Sequence, residues 1–283
     1  MLKYKRIEFV WVILLQAIFF SCLISPNQKE LKLAHSLPVD HPVNQAMEFM
    51  AQRTSELSDG KLTIKVYPSG QLGSEQKCLE LLQIGSLAIT KISAGTMESF
   101  LDAYKIFGLP YLFRSKEHTF KVLDGQIGKE LLLLPQDIWI RGLCYYDAGS
   151  RSFYTRTKLI HSPEDISGLK IRVMQSHTAV QMIRTMGGSA TPISWGELYT
   201  ALQSGVVDGA ENNPPSLYTS RHYEFCKYYS LNEHTTIPDV LKMIEEIVSG
   251  GGIDVLVNNA GINLTKKADR KSTRLNSSHR YVS

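Results

Sequence analysis

The sequence predicts an α/β fold of two lobes joined by a hinge, and three observations carry that prediction. From Leu31 onward the apolar pattern alternates between the two-residue period of strands and the 3.6-residue period of helices. Glycine or proline punctuates most of the segments. The alternation resumes in the same style after residue 148, which gives two α/β lobes, 30–148 and 149–241, with no sequence repeat between them.

In the first lobe LKLAHS reads as a short strand. PVNQAMEFMAQRTSEL follows as a helix, with Val43, Ala46, Met47, Met50 and Leu57 near one face. After the turn DGK, KLTIKVYP alternates Leu62, Ile64 and Val66 on one side, a half-buried strand that stops at Pro68. SGQLGS is a loop, EQKCLELLQIG a helix closed by Gly85, and LAITKIS the next strand. A β-α-β-α-β order argues for a largely parallel sheet. HTFKVLDGQIGKELLLL then reads as helical and IWIRGLCYYD as a buried strand.

In the second lobe GSRSFYT leads to HSPEDISGLKIRV, a turn feeding a strand. HTAVQMIRTMG and WGELYTALQSG are helices with glycine stops, and the short strand ATPIS lies between them. VVDGAEN is a strand running into a polar loop, and NPPSLYTSRHYEF starts a helix after its prolines. In two-lobed architectures of this kind a ligand sits between the lobes, at loops that follow strand ends, and closure is a hinge motion.

Composition and charge narrow the function. The 283 residues are 43% hydrophobic and 20% charged, so the chain is globular rather than disordered. The formal charge of +4 sits at the ends: residues 1–8 carry a net +2 and 265–283 a net +5, leaving the body at −3. A mildly acidic body has no broad electrostatic footprint for nucleic acid. KYKR followed by FVWVILLQAIFFS reads as an export signal over 1–25, too short and too interrupted by Gln16 for a membrane span. It ends at Ser21-Cys22, which fits either a lipoprotein signal anchored through Cys22 or ordinary cleavage nearby; both place the mature protein outside the cytoplasm. Cys78, Cys144 and Cys226 remain, an odd number without a CxxC pair, expected as buried free thiols rather than disulfides or a zinc site.

YPSGQLGSEQ, GLKIRV and TPISWGELYTALQSGVVDGAEN, in this order and spacing, resemble the solute-binding subunits of tripartite ATP-independent periplasmic (TRAP) transporters, the DctP-like family. The resemblance runs from about Leu31 to about Leu241. It implies a two-lobe periplasmic solute-binding protein fold, an organic-acid ligand, and TRAP membrane subunits as partners. It also implies that Arg172, in KIRV, grips the ligand carboxylate. A guanidinium presents a planar fork of donors to both oxygens; the competing reading is a strand-end arginine in a surface ion pair. Arg151, in GSRSFYT, matches a second family arginine that contacts the same acid. Asn212 matches an asparagine that hydrogen-bonds the carboxylate or a neighbouring hydroxyl, and a helix cap before Pro214 is its alternative. Asn213 shares either role. Trp195 matches an aromatic position facing the cleft, with lobe core as the alternative. His35, Ser93 and Glu75 lie at loops or strand ends of the first lobe within reach of the cleft, and for His35 surface solvation competes. ENNPPS with SRHYEF looks most like family members that take sugar acids, which makes a hexuronate the first choice of ligand and a C4-dicarboxylate or another hydroxy acid the next.

GGIDVLVNNAGI, at residues 251–262, points elsewhere. It resembles a strand of the short-chain dehydrogenases, which would make the chain an NAD(P)-dependent oxidoreductase. That role needs a glycine-rich turn upstream to cradle the pyrophosphate at a helix N-terminus, and no GxGxxG follows any early strand. The Tyr-x-x-x-Lys matches, Tyr154/Lys158 and Tyr223/Lys227, both precede the stretch rather than follow it. HExxH, GxSxG and P-loop patterns are absent too, so neither an enzyme nor a cofactor or metal is expected. DRKSTRLNSSHRYVS resembles a translated sequencing-adapter read-through. Residues 242–283 are therefore expected to be a foreign or disordered tail, leaving the fold incomplete at its C-terminus and prone to aggregate.

Overall fold

The computed structural model describes residues 29–244 and the backbone of two short strands, 255–258 and 261–264. The expected export signal lies outside the described residues, as does most of the expected tail. Among the described residues no helix is long and apolar enough to cross a membrane.

The first lobe opens with β1 (Lys29–Ala34), α1 (Pro42–Leu57), β2 (Leu62–Tyr67), α2 (Glu75–Gln83) and β3 (Ile89–Ser93). Local chemistry sets each helix start. His41 caps α1 by accepting from Val43 N–H, with Pro42 at its first turn, and Ser74 caps α2 by accepting from Lys77 N–H. Two 3-10 segments, Ala94–Ser99 and Asp102–Gly108, lead to α3 (Lys116–Leu123), α4 (Gln126–Leu133) and β4 (Ile140–Tyr146). The stretch read as one helix is thus two, broken at Asp124-Gly125. A Cβ at Gly128 would lie 1.9 Å from the Leu123 carbonyl oxygen, so α4 folds back so closely that only glycine fits. Gly128→Ala should therefore destabilise the protein by roughly 2–4 kcal/mol in urea melts; an unchanged midpoint would show that the α3–α4 turn yields easily.

The second lobe contains β5 (Arg151–Thr155), β6 (Lys170–Val173), α5 (His177–Thr185), β7 (Ser189–Pro192), α6 (Trp195–Gln203), β8 (Gly209–Asn212), α7 (Pro214–Thr219) and β9 (Tyr228–Thr235). The helix read in NPPSLYTSRHYEF is shorter than expected: α7 stops at Thr219, and Arg221 turns the chain with φ 55°. β10 (Asp239–Ile244) then returns to the first lobe, between β3 and β4.

Two five-stranded sheets result, ordered β2-β1-β3-β10-β4 and β7-β6-β8-β5-β9. β1 runs parallel to β2 and β3, while β10 is antiparallel to both of its neighbours. The first sheet is mixed rather than largely parallel for a simple reason. β10 enters from the other lobe through the short link 236–238, with no crossover helix to reverse its direction. Together with the link 147–150 between β4 and β5, that gives two direct strand-to-strand connections between the lobes. Asp239–Leu241, expected at the end of the second lobe, and Lys242–Ile244, expected in the tail, together form one buried strand of the first sheet. Leu33, Met47, Leu79, Ile89, Ile92 and Val240 fill the first core, and Leu198, Leu202, Val207 and Ala210 pack with Tyr154 in the second.

β11 (Val255–Asn258) and β12 (Gly261–Leu264) form a separate antiparallel hairpin beside β4 and α1. VLVN is therefore no strand of a parallel dinucleotide-binding sheet here.

Candidate ligand-binding cleft

The strand ends converge on a cavity of about 270 Å³ between the lobes, small for a ligand pocket. Its walls come from the segments after β1, β3 and β6, the end of β8 and the two links between the lobes, the location expected for a ligand in open α/β sheets. Arg172, Arg151, Asn212, Asn213, Trp195, Ser93 and Glu75 all line it.

Arg172 lies on β6 at 3% exposure. Its Nε donates to the Ile193 carbonyl at 2.8 Å, and its guanidinium sits 5.5 Å from the Trp195 ring centroid. Its terminal nitrogens meet no carboxylate among the described residues, so the surface ion-pair reading does not apply. Burial pushes its pKa below the ordinary arginine value. Trp195, at the start of α6, is both core and cleft wall: it lines the cavity and packs on His222 at 5.0 Å.

Arg151 is as deeply buried, but its charge is spent within the protein. Nε contacts Glu211 Oε2, and Nη2 donates to Glu211 Oε1 at 2.8 Å and to the Glu211 carbonyl at 2.9 Å. Burial works against its charge, and the Glu211 carboxylate outweighs that and raises its pKa. Nη1 donates to Asn212 Oδ1 at 3.0 Å, an oxygen that also accepts from Asn213 N–H at 2.8 Å. Both contacts hold Asn212 Oδ1, which leaves the Nδ2 hydrogens of Asn212 as its free donors. Arg151 thus orients an amide at the cleft instead of presenting a second open cation. The capping role falls to Asn213, not Asn212: its Oδ1 accepts from Ser216 N–H at 2.8 Å, and its Nδ2 donates to the Ala148 carbonyl in the link.

On the first-lobe side Glu75 accepts from Ser36 Oγ, Ser93 N–H and Thr96 Oγ1 at 3.3, 3.2 and 2.7 Å. Ser93 Oγ lies 3.8 Å from Met174 Sδ of the other lobe. His35 does not line the cleft. At 1% exposure it is neither solvated nor facing a ligand; Nε2 bonds Asn44 Oδ1 at 3.0 Å and Nδ1 accepts from Leu37 N–H. Burial lowers its pKa to about 4, so it is a neutral strut between β1 and α1.

Sequence reasoning missed Lys91 and Asp239. Lys91, 1% exposed on β3, sits 3.1 Å from Asp239 Oδ2 and 3.5 Å from Glu75 Oε1. Burial opposes its charge, yet the two carboxylates raise its pKa overall. The signal was present: a lysine within the apolar run LAITKIS must either escape the sheet or find buried partners. His41 and Ser216 were also missed. His41 Nδ1 is held by Val43 N–H, so Nε2 carries the proton and donates to Ser216 Oγ across the cleft at 3.3 Å. Glu98 joins the lobes as well, accepting from Ser176 Oγ at 2.9 Å and from Thr178 N–H and Oγ1 at 3.0 Å. These bonds draw the lobes together around the cavity.

Cys78, Cys144 and Cys226 are buried free thiols, as expected. Burial raises all three pKa values, that of Cys78 to about 11 and that of Cys226 to about 12. Among the described residues no cluster of three His, Cys, Asp or Glu is placed to hold a metal ion.

Comparison with known proteins agrees with this geometry. The family described as DctP, bacterial extracellular solute-binding protein family 7, matches residues 33–246. The uncharacterised protein YiiZ of Salmonella typhimurium is 39% identical over 240 residues, spanning 84% of this chain and 73% of the relative. A TRAP periplasmic solute-binding protein of Xanthobacter autotrophicus, solved with β-D-galacturonate, is 41% identical with a TM-score of 0.75, covering 78% of this chain and 74% of its own. One from Anaerococcus prevotii, solved with D-glucuronate, is 41% identical with a TM-score of 0.77, covering 79% and 73%. These neighbours are solute-binding proteins rather than enzymes, and the dehydrogenase reading of residues 251–262 finds no support among them.

Proposed function

The chain belongs to the bacterial extracellular solute-binding proteins of family 7, and from that membership we propose that it is the periplasmic binding component of a TRAP transporter for a sugar acid, a hexuronate first. It captures the acid between its lobes and delivers it to the membrane subunits. The observation that carries this reading is the Arg172 guanidinium, buried on the cleft wall, braced by Trp195 and Ile193 and without a carboxylate partner among the described residues. An arginine held this way is poised for an anion that arrives from solution. Asn212 supplies a donor beside it. The galacturonate and glucuronate bound by its solved neighbours support the sugar-acid assignment.

A thermal-shift panel of hexuronates, C4-dicarboxylates, sialic acid and nicotinamide dinucleotides tests the reading. An acid at 1,000 times its Kd adds about 4 kcal/mol of stability, enough to raise the melt by roughly 8–16 °C. A shift with a hexuronate and none with dinucleotides is expected. A shift with a dinucleotide alone would overturn the proposal.

We also propose that the mature protein is lipid-anchored through Cys22, on the sequence Ser21-Cys22 that ends the apolar leader. Labelled palmitate should enter the expressed protein and be absent from Cys22→Ser; label retained in that variant would sink the anchor.

A further inference from the structure

We infer that Asp239 sets the selectivity of the cleft, accepting a ligand hydroxyl with its free oxygen while its charge turns away a second carboxylate. The inference rests on the sugar-acid reading and adds what the first lobe contributes to it.

Hydrogen-bond capacity singles out this residue. Glu75 is heavily engaged: Oε1 accepts from Ser36 Oγ and lies 3.5 Å from Lys91 Nζ in an ion pair, and Oε2 accepts from Ser93 N–H and Thr96 Oγ1. A carboxylate oxygen has two lone pairs, so Oε2 of Glu75 has none left for a ligand and Oε1 is already shared. Asp239 differs. Its Oδ2 accepts from Lys91 Nζ at 3.1 Å, while its Oδ1 bonds no described residue, and the side chain lines the cavity. Its place is fixed by register: β10 pairs Asp239 with Ser93 at the cleft end of β3, and the link 236–238 leads straight into it.

Charge points the same way. Lys91 stands between two carboxylates, one acidic group more than it can balance; burial raises the Asp239 pKa, and Lys91 beside it favours the charged form. Arg172, on the second-lobe side, carries an uncompensated positive charge. Asp147, which also lines the cavity, is paired with Lys116 at 2.6 Å. The cleft is therefore polarised across the lobes. A ligand with a carboxylate at one end and hydroxyls at the other matches that field. A dicarboxylate places its second anion against Asp239, where no open cation waits among the described residues, because Lys91 is engaged and Arg151 is locked to Glu211. Like charges at close range in a cavity between two lobes repel strongly.

Calorimetry on the full chain tests this with D-galactonate and galactarate, open-chain acids that differ only in a terminal hydroxymethyl or carboxylate group. D-galacturonate serves as the control for an intact site. The unaltered protein should bind galactonate at least about tenfold more tightly than galactarate. In Asp239→Asn, shown to be folded by its melt, galacturonate affinity should fall roughly tenfold or more, and the galactonate preference should shrink by a similar factor. Should that variant fail to fold, the ratio in the unaltered protein decides. Equal or tighter binding of galactarate, with galacturonate still bound, overturns the inference and leaves the sugar-acid reading intact. If none of the three acids binds, both fall. A folded Asp239→Asn with unchanged affinities also overturns the inference.

Discussion

Arg172→Met should abolish acid binding, lowering affinity at least about 100-fold, while leaving the ligand-free protein as stable as before or more so. Two charge-assisted hydrogen bonds are lost, each worth roughly 1.5–3 kcal/mol, and about 1.4 kcal/mol is a tenfold change in Kd. Stability moves the other way because a buried cation without a carboxylate partner is a burden in the empty protein. Methionine keeps contact with Trp195 and removes that burden. Calorimetry with a hexuronate and urea melts without ligand measure the two effects separately. Retained binding would sink the assignment of Arg172. Lost binding with a large drop in stability would mean that the residue holds the lobe together instead of waiting for a ligand.

Lys242→Met should raise stability at neutral pH by roughly 4 kcal/mol. Lys242 is fully buried in β10, with no carboxylate partner among the described residues. Its Nζ donates to Tyr104 Oη at 2.6 Å, lies 4.6 Å from that ring's centroid, and is otherwise surrounded by the first-lobe core. Burial drives its pKa from 10.5 down to about 7. The sign follows from proton counting. Between pH 7 and 10.5 the unfolded chain binds more protons than the folded one, so stability rises with pH across that window. The advantage of Lys242→Met should therefore be greatest at and below about pH 7 and smaller by roughly 2 kcal/mol at pH 9. Tyr104 stays satisfied in the variant, since its hydroxyl donates to the Leu131 carbonyl at 2.7 Å. Urea melts of both proteins at the two pH values check this, and a difference that ignores pH would contradict it.

Lys242 also shows where sequence reading stopped. A boundary drawn at Leu241, where the family resemblance ended and residues 242–283 read as a foreign tail, cut through β10. Only the sheet shows that this lysine points into a core. Arg151 makes the same point in the cleft. Arg151 and Arg172 read alike in sequence, since both match family arginines. Glu211, the next residue but one from Asn213 on β8, separates them by neutralising one and not the other. His35 was placed at a strand end near the cleft, but Asn44, nine residues on, takes its ring nitrogen.

The sequence by itself determined the α/β class, the order of most strands and helices, the family, and Arg172 as the residue to watch. Those features are local or rest on motifs: hydrophobic period, helix caps, glycine stops, and the runs GLKIRV and SWGELYTALQSGVVDGAEN. Tertiary structure alone decided that β10 crosses back to complete the first sheet, that Lys91 and Asp239 face the cleft beside Glu75, and that His41 reaches Ser216 on the other lobe. Each of the pairs Lys91–Asp239 and His41–Ser216 joins residues more than a hundred positions apart. Periodicity tells which face of a segment is buried; which distant side chain meets it there is fixed only when the strands assemble into a sheet, as for Lys91 and Asp239, or when the lobes close, as for His41 and Ser216.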